Sequence, residues 1–313
     1  MFQKIADYSE RQYRSLTGLS KEKFEELLPI FKECEEKMKE QHYQIYEQNY
    51  ERKPSAGGSP IFKKSEEQLF FTLFYLKTYP TFDVLGFTFG CSGKTAHQNL
   101  YKFLPVLELA LESLDCLPKR SFESVEEFIE FMSKHQDLLI DATERLHHRK
   151  KDQEEQKKYY TKKSKTHVVK NTIIATPAQM VLFVGHTVLG AIHDFALFKA
   201  EFPPEFAWFL LFNIWVDLGY IGFSKNYYTA QLHIPFKRPY KTKENPEPQL
   251  DPVKKEHNRK VSQKRVKVEN AIGGIKRLAI LQYRFRNKSQ DLRDDVIFFA
   301  AGIWNFFKGF SFS

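Results

Sequence analysis

Asp137-Leu-Leu-Ile-Asp141 marks the point at which the chain changes its period. Upstream, apolar residues recur at three- and four-residue spacing. Here three consecutive apolar residues run straight into an acid, the pattern of a buried strand whose end presents a carboxylate. Downstream, residues 167–176 and 180–184 are rich in β-branched side chains and are separated by Pro177-Ala-Gln, which predicts two more strands in a hairpin. Residues 193–201 fit a short helix. Residues 212–216 repeat the opening pattern, an apolar strand that ends on Asp217 and continues as Leu-Gly-Tyr220. A fifth strand over 232–236, a Pro- and Lys-rich loop over 240–253 and a long basic helix over 254–279 carrying Glu269 complete the half. The order is β-β-β-α-β-β-α, an α/β arrangement.

The upstream half reads as helical. Ser20 is placed to cap a helix with Phe24, Leu27, Leu28 and Phe31 on one face, and Ser65-Glu-Glu-Gln68 is a capping box opening onto Leu69, Leu73 and Leu76. Residues 50–60 form a loop by their Gly, Pro and Ser content. Residues 81–103 then give a short helix, a turn at Gly90 and a second helix capped by Ser92, the outline of a helix-turn-helix. Its second helix would present Lys94, Thr95, Gln98 and Lys102 to bases and phosphates; a plain helical hairpin is the alternative. Ser124-Val-Glu-Glu127 is another capping box. The expected organisation is a helical DNA-binding domain over 1–120, a linker helix over 121–136 and a catalytic domain over 137–313.

With 313 residues, 42% hydrophobic, the chain has room for two domains. Lys and Arg number 48 against 39 Asp and Glu, a net charge of +9, and the excess concentrates in residues 145–170 and 237–288. Local basic concentration points to a polyanion. No apolar run approaches the roughly 18–20 residues of a membrane helix, and Met1-Phe-Gln-Lys does not start a signal peptide. A cytoplasmic protein without a membrane partner, held near the nucleoid through DNA, is expected. Cys34, Cys91 and Cys116 are odd in number and widely spaced, as reduced structural cysteines are.

The arrangement of strands fits a ribonuclease-H-like mixed sheet with flanking helices, in which the first and fourth strands are neighbours. Asp141 and Asp217 would then meet, and Glu269 would reach them from the basic helix. Three carboxylates on one point suit Mg²⁺ or Mn²⁺, and two such ions roughly 3.5–4 Å apart activate a water and stabilise a leaving oxygen. Each acid has a plainer reading: Asp141 and Asp217 as turn residues, Glu269 as the partner of Arg265 one turn earlier. Asp194 competes for the second position but lies in a short helix, so it is taken as supporting. His147, His148 and His193 lack metal-ligand spacing and read as satisfied histidines.

Four motifs carry a family resemblance: Asp141-Ala-Thr, His193-Asp-Phe-Ala-Leu-Phe198, Asp217-Leu-Gly-Tyr220, and Arg265 and Lys276 around Glu269. In this order they resemble the DDE transposases of bacterial insertion sequences, the IS-five-like group most closely and the PIF/Harbinger nucleases more distantly. The resemblance covers nearly the whole chain. It implies metal-dependent cleavage at an element's terminal inverted repeats, joining of the freed 3′-hydroxyls to target DNA, and a homodimer on double-stranded DNA. Asp141, Asp217 and Glu269 match the catalytic and metal-binding acids. Arg265 and Lys276 match the flanking basic residues that grip phosphate, and Ser262 stands where the family signature often has tyrosine.

Residues 150–165 are a charged run between the first two strands. Beside a nuclease site, Lys162 and Lys163 would neutralise phosphates while Tyr159 and Tyr160 stack on bases. Residues 298–307 form an aromatic helix that belongs in the core. A DNA-binding protein derived from a transposase, and an endonuclease without strand transfer, share these residues and stand as alternatives.

Overall fold

Residues 5–49, 60–243, 246–287 and 289–312 are described by a computed structural model, which divides into two units. The first comprises Met1–Leu117, Lys276–Gln282 and Asn305–Ser313. Its main helices are α1 (Glu10–Thr17), α2 (Lys21–Asn49), α3 (Ser65–Thr78), α4 (Phe82–Phe89) and α5 (Gly93–Ser113). Ser20 caps α2 by accepting from the Lys23 amide at 3.2 Å. At α3 the cap lies one residue earlier than the sequence pattern indicates. Glu67 takes the amides of Lys63 and Lys64, while the Ser65 hydroxyl donates to Glu35 at 2.7 Å. Glu35 is buried, and a buried carboxylate needs a donor more than a helix end open to water does. The loop expected over 50–60 lies, apart from Pro60, outside the described residues.

The helix-turn-helix region is built as its caps require. Thr81 accepts from the Val84 amide at 3.3 Å to start α4, and Ser92 accepts from the Thr95 amide at 3.1 Å to start α5. Gly90 closes α4 in the left-handed region at φ 69°. At Gly86 the constraint is space, because a Cβ there would sit 2.6 Å from the Cys91 carbonyl and 2.8 Å from the Gly93 nitrogen.

The second unit holds Pro118–Ile275 and Tyr283–Trp304. Its elements are α6 (Val125–Met132), β1 (Asp137–Leu146), α7 (Gln153–Tyr159), β2 (Tyr160–Thr161), β3 (Thr166–Ala175), β4 (Val181–Val184), β5 (Val188–Leu189), α8 (Asp194–Glu201), β6 (Asn213–Trp215), α9 (Phe223–Asn226), β7 (Gln231–His233) and α10 (Pro252–Ile275). After it come α11 (Ala279–Gln282), in the helical unit, and α12 (Gln290–Lys308). The sheet order is β2-β3-β1-β6-β7, with β4 and β5 also on β3. β1 is antiparallel to β3 and parallel to β6, so the first and fourth strands read from the sequence are neighbours.

Several boundaries differ from expectation. β1 does not end on Asp141 but runs on to Leu146, because residues 141–146 continue the antiparallel ladder with β3. The fifth strand stops at His233, because Asn258 of α10 takes the Phe236 amide and donates back to its carbonyl at 2.7 and 2.9 Å, replacing a strand partner. α10 ends at Ile275 rather than at 279. The charged run contains a helix, α7, which Asp152 caps and the pairs Lys157–Glu154 and Lys158–Glu155 support. α10 lays Val261, Val268, Ala271 and Ile275 on β1, β3 and β6. α12 buries Val296, Ile297, Ala300, Ile303 and Trp304, as its aromatic spacing predicts. Phe128, Phe198, Phe202, Phe209 and Phe223 fill a core between α6, α8 and α9. Among the described residues no helix is long and apolar enough to cross a membrane.

Gly86→Ala is expected to cost about 1–3 kcal/mol, the usual range for overpacking, because the clash is with backbone that has no room to move. Gly90→Ala meets open space and bears only the φ penalty, about 1 kcal/mol. Denaturant midpoints of the two variants decide the matter; equal losses would sink the crowding argument at Gly86.

Candidate carboxylate site and nucleic-acid interface

Two acids are brought together by the parallel register. Leu139 pairs with Trp215, so Asp141 and Asp217, each two residues further along, lie side by side where β6 has already ended. One oxygen of each is held by its own backbone: Asp141 Oδ1 accepts from the Ala142 amide at 2.8 Å and Asp217 Oδ1 from the Gly219 amide at 2.7 Å. Gly219 permits that turn, since a Cβ there would lie 2.8 Å from Asp217 Oδ1. Both carboxylates are thus oriented before any ligand arrives.

Arg265 connects this pair to α10. Its Nη2 donates to Asp141 Oδ2 at 3.0 Å, and its Nη1 lies 3.8 Å from Glu269 Oε1. The Arg265 Nε is buried without a partner. Burial pushes the Asp141 carboxyl up to about 6, with the Arg265 charge opposing the rise and the Asp217 charge adding to it. The Glu269 side chain is 56% exposed. The structure therefore sets Asp141 beside Asp217 and links it to Glu269 through a guanidinium. Among the described residues no three His, Cys, Asp or Glu side chains are grouped closely enough to hold a metal ion.

Asp194 is differently placed. Lys170, buried on β3, donates to Asp194 Oδ1 at 2.8 Å and to the Ile192 carbonyl at 3.0 Å, and lies 3.7 Å from Glu144. The Tyr220 hydroxyl is buried without a partner, and burial with the surrounding acids raises its pKa well above the ordinary value.

Alongside lies a cleft of about 1190 Å³ lined by Arg149, Lys157, Tyr160, Lys162, Lys163, Lys170, Asp194 and Asp217, among others. Lys162 and Lys163 are read from the sequence; Arg149 and Lys157 are not, although Lys157 lies in the charged run and Arg149 directly precedes it. Of the two tyrosines expected to stack on bases only Tyr160 is available, 42% exposed. Tyr159 is buried, stacked on His147 at 4.4 Å and 15°, because it closes α7 against the sheet. His147 itself is satisfied within the protein, as read.

In the helical unit, Lys94, Gln98 and Lys102 are exposed at four-residue intervals along one face of α5. The Thr95 hydroxyl is 2.8 Å from that of Ser92, inside the cap. Lys276 follows α10 directly and belongs to the helical unit, where its carbonyl accepts from Gln282.

The sequence profile described as DDE superfamily endonuclease matches residues 140–305, more than half of the chain. This chain belongs to the DDE superfamily endonucleases. The helix-turn-helix of the same superfamily matches residues 64–113, which span α3 to α5. Over 307 residues, 97% of each chain, this endonuclease-family chain is 26% identical to a protein of Microchaete diplosiphon described as a probable transposase for insertion sequence element IS702. No solved structure matches it. The superfamily read from the motifs is thereby established, with a helix-turn-helix suited to DNA; the IS-five-like subgroup is finer than these matches reach.

Glu201, near Tyr220, tests the burial beneath this site. Both of its oxygens are buried, and burial raises its carboxyl from 4.5 to about 7 against the opposing effect of the Thr172 hydroxyl. A raised folded-state value means that its contribution to stability is complete below about pH 4.5 and is lost as the pH rises through about 7. Wild-type stability should fall by on the order of 2–3 kcal/mol between about pH 5 and 8 from this group, and Glu201→Gln should remove that fall. Parallel pH profiles of the two proteins in thermal denaturation would rule the account out.

Proposed function

We propose that this endonuclease-family chain is a transposase that cuts DNA at the ends of a mobile element and joins the freed 3′-hydroxyls to target DNA. The observation that carries the reading is the pairing of Asp141 with Asp217 beside a lysine-rich cleft. Sheet order supports a ribonuclease-H-like fold, with the central strand antiparallel to one neighbour and parallel to the other. The 26% identical relative described as a probable transposase, matched end to end, supports the same activity.

The donor set fits divalent metal. Asp141, Asp217 and Glu269 offer hard carboxylate oxygens; the backbone holds only Oδ1 of each aspartate, and Asp141 Oδ2 is met by Arg265. These three would hold Mg²⁺ or Mn²⁺, two ions per site by the resemblance, with Asp194 already committed to Lys170. When bound, such ions lower the pKa of a water and stabilise charge on the leaving oxygen. Arg265 binds Asp141 through Nη2 and keeps its buried Nε for a phosphate oxygen. Lys162 and Lys163 bind the flanking backbone, and Lys163 lies close enough to favour the charged form of Asp141. Lys94, Gln98 and Lys102, with Thr95 behind them, meet DNA from α5; Lys276 is a further phosphate contact. Two element ends need two sites, so the working form is a homodimer on DNA.

The Arg265 bridge gives weight to a second reading. With Asp141 neutralised by a guanidinium and Glu269 half-exposed, a transposase-derived DNA-binding protein that does not cut would have the same structure. Cleavage of a labelled duplex carrying the element's own end, in Mg²⁺, Mn²⁺ or EDTA, separates the two. Asp141→Ala, Asp217→Ala and Glu269→Ala should each lower metal-dependent nicking by on the order of 1000-fold, several kcal/mol of transition-state stabilisation, with Asp194→Ala within roughly tenfold. Tight binding without cutting in either metal would establish the second reading.

A further inference from the structure

A second cavity, of about 220 Å³, lies at the far end of β1 and is lined by His147, His148, Lys150, Asn287, Gln290 and Arg293. None of the six carries an acid. The Phe285 amide donates to the Leu146 carbonyl at 3.2 Å, which draws the segment leading into α12 against the end of the strand. His147 is 2% exposed; its Nε2 faces Arg293 Nη1 at 3.1 Å and its Nδ1 faces the His148 carbonyl at 2.8 Å. Since Arg293 is a donor only, Nε2 accepts and Nδ1 donates, so the ring is neutral. Burial supports this by holding its pKa down to about 4. The Arg293 carbonyl is taken by Arg145 at 2.8 Å, whereas the buried Arg293 Nε has no partner. Among the described residues neither Arg293 nor Lys150 forms an ion pair; Lys150 lies only over the Tyr159 ring, at 5.5 Å.

Two cations and two amide side chains around a small polar cavity, one cation with an unmet buried N–H, want an anion with several acceptor oxygens. A backbone phosphodiester offers two charged non-bridging oxygens on a tetrahedral centre, with two ester oxygens beside them, and fits the volume. We propose that this cavity is a phosphate subsite that holds one backbone phosphate of the DNA, an inference that rests on the nuclease reading of Asp141 and Asp217. Asp141, Thr143, Arg145 and His147 alternate onto one face of β1 and its continuation, so the subsite lies roughly 20 Å along the strand from the carboxylates. That is about six base steps of duplex at roughly 3.4 Å each, and its effect is to set the angle at which the duplex crosses the sheet.

The test measures binding of an end duplex by fluorescence anisotropy in EDTA over a KCl series, for wild type, Lys150→Met and Arg293→Lys. Lys150→Met should weaken binding about three- to tenfold at moderate salt and reduce the slope of log K against log[KCl] by about one. Arg293→Lys, which keeps the charge, should keep the slope. Ethylating the phosphate about six steps from the cut should impair the wild type and leave Lys150→Met unaffected. A slope and ethylation pattern unchanged in Lys150→Met, in a protein whose wild type binds and cuts, would overturn this proposal alone. Inorganic phosphate that raises the wild-type denaturation midpoint, with the duplex slope unchanged in Lys150→Met, would overturn it in favour of a free-phosphate site. A wild type that binds no duplex overturns both this proposal and the function it rests on.

Discussion

Parallel pairing of β1 with the very short β6 is the constraint from which the site follows. β6 has three residues, and its register with β1 places Asp217, just past its end, level with Asp141 in the middle of β1. Because β6 stops there, Asp217 is free to turn back onto the Gly219 amide instead of continuing a ladder. A longer β6 would bury Asp217 between two paired strands and close the cleft beside it. Shortness of the strand and the glycine two residues after the acid therefore serve one purpose.

Charge compensation then separates acids that look alike in sequence. Asp137 accepts from Trp215, Asn213 and Lys264, and these bonds hold its carboxyl below the usual range against the opposing cost of burial. Asp294 is met by Arg120, His186 and the Thr187 amide, and its carboxyl is likewise depressed. Both are structural by satisfaction: every bond they make ties one element of the fold to another. Asp141 has less compensation, so its carboxyl moves the other way. A carboxyl left uncomfortable by its surroundings is the one a cation would stabilise most.

Much of this was visible in the sequence because it depends on local pattern. The apolar runs ending on Asp141 and Asp217, the caps at Ser20 and Ser92, and the glycine turn at Gly90 are each a matter of a few neighbouring residues. What escaped depends on partners far away in the chain. Ser65 leaves its cap because Glu35 is buried thirty positions upstream, and the fifth strand is cut short because Asn258 arrives from α10. Tyr159 and Tyr160 are adjacent and chemically alike, yet one is core and one is surface, since α7 ends between them and turns their side chains to opposite sides. Composition of the charged run announced a basic surface; only the fold could say which of its members line the cleft.

Asp194 shows why proximity in a motif is weaker evidence than the identity of the partner. Its counter-charge, Lys170, is rooted in β3, a strand paired on both sides, and also donates to the Ile192 carbonyl. To release Asp194, that lysine, 8% exposed, would have to give up its shorter ion pair and keep only the Ile192 carbonyl and Glu144 at 3.7 Å. The counter-charge of Asp141 is Arg265, a long side chain reaching from a helix, with one N–H already unmet and with Glu269 one turn further along as an alternative acceptor. The bond it would lose at Asp141 has a replacement at a phosphate. Of the two candidate second acids, Asp217 is the one beside Asp141, whereas Asp194 is tied to Lys170.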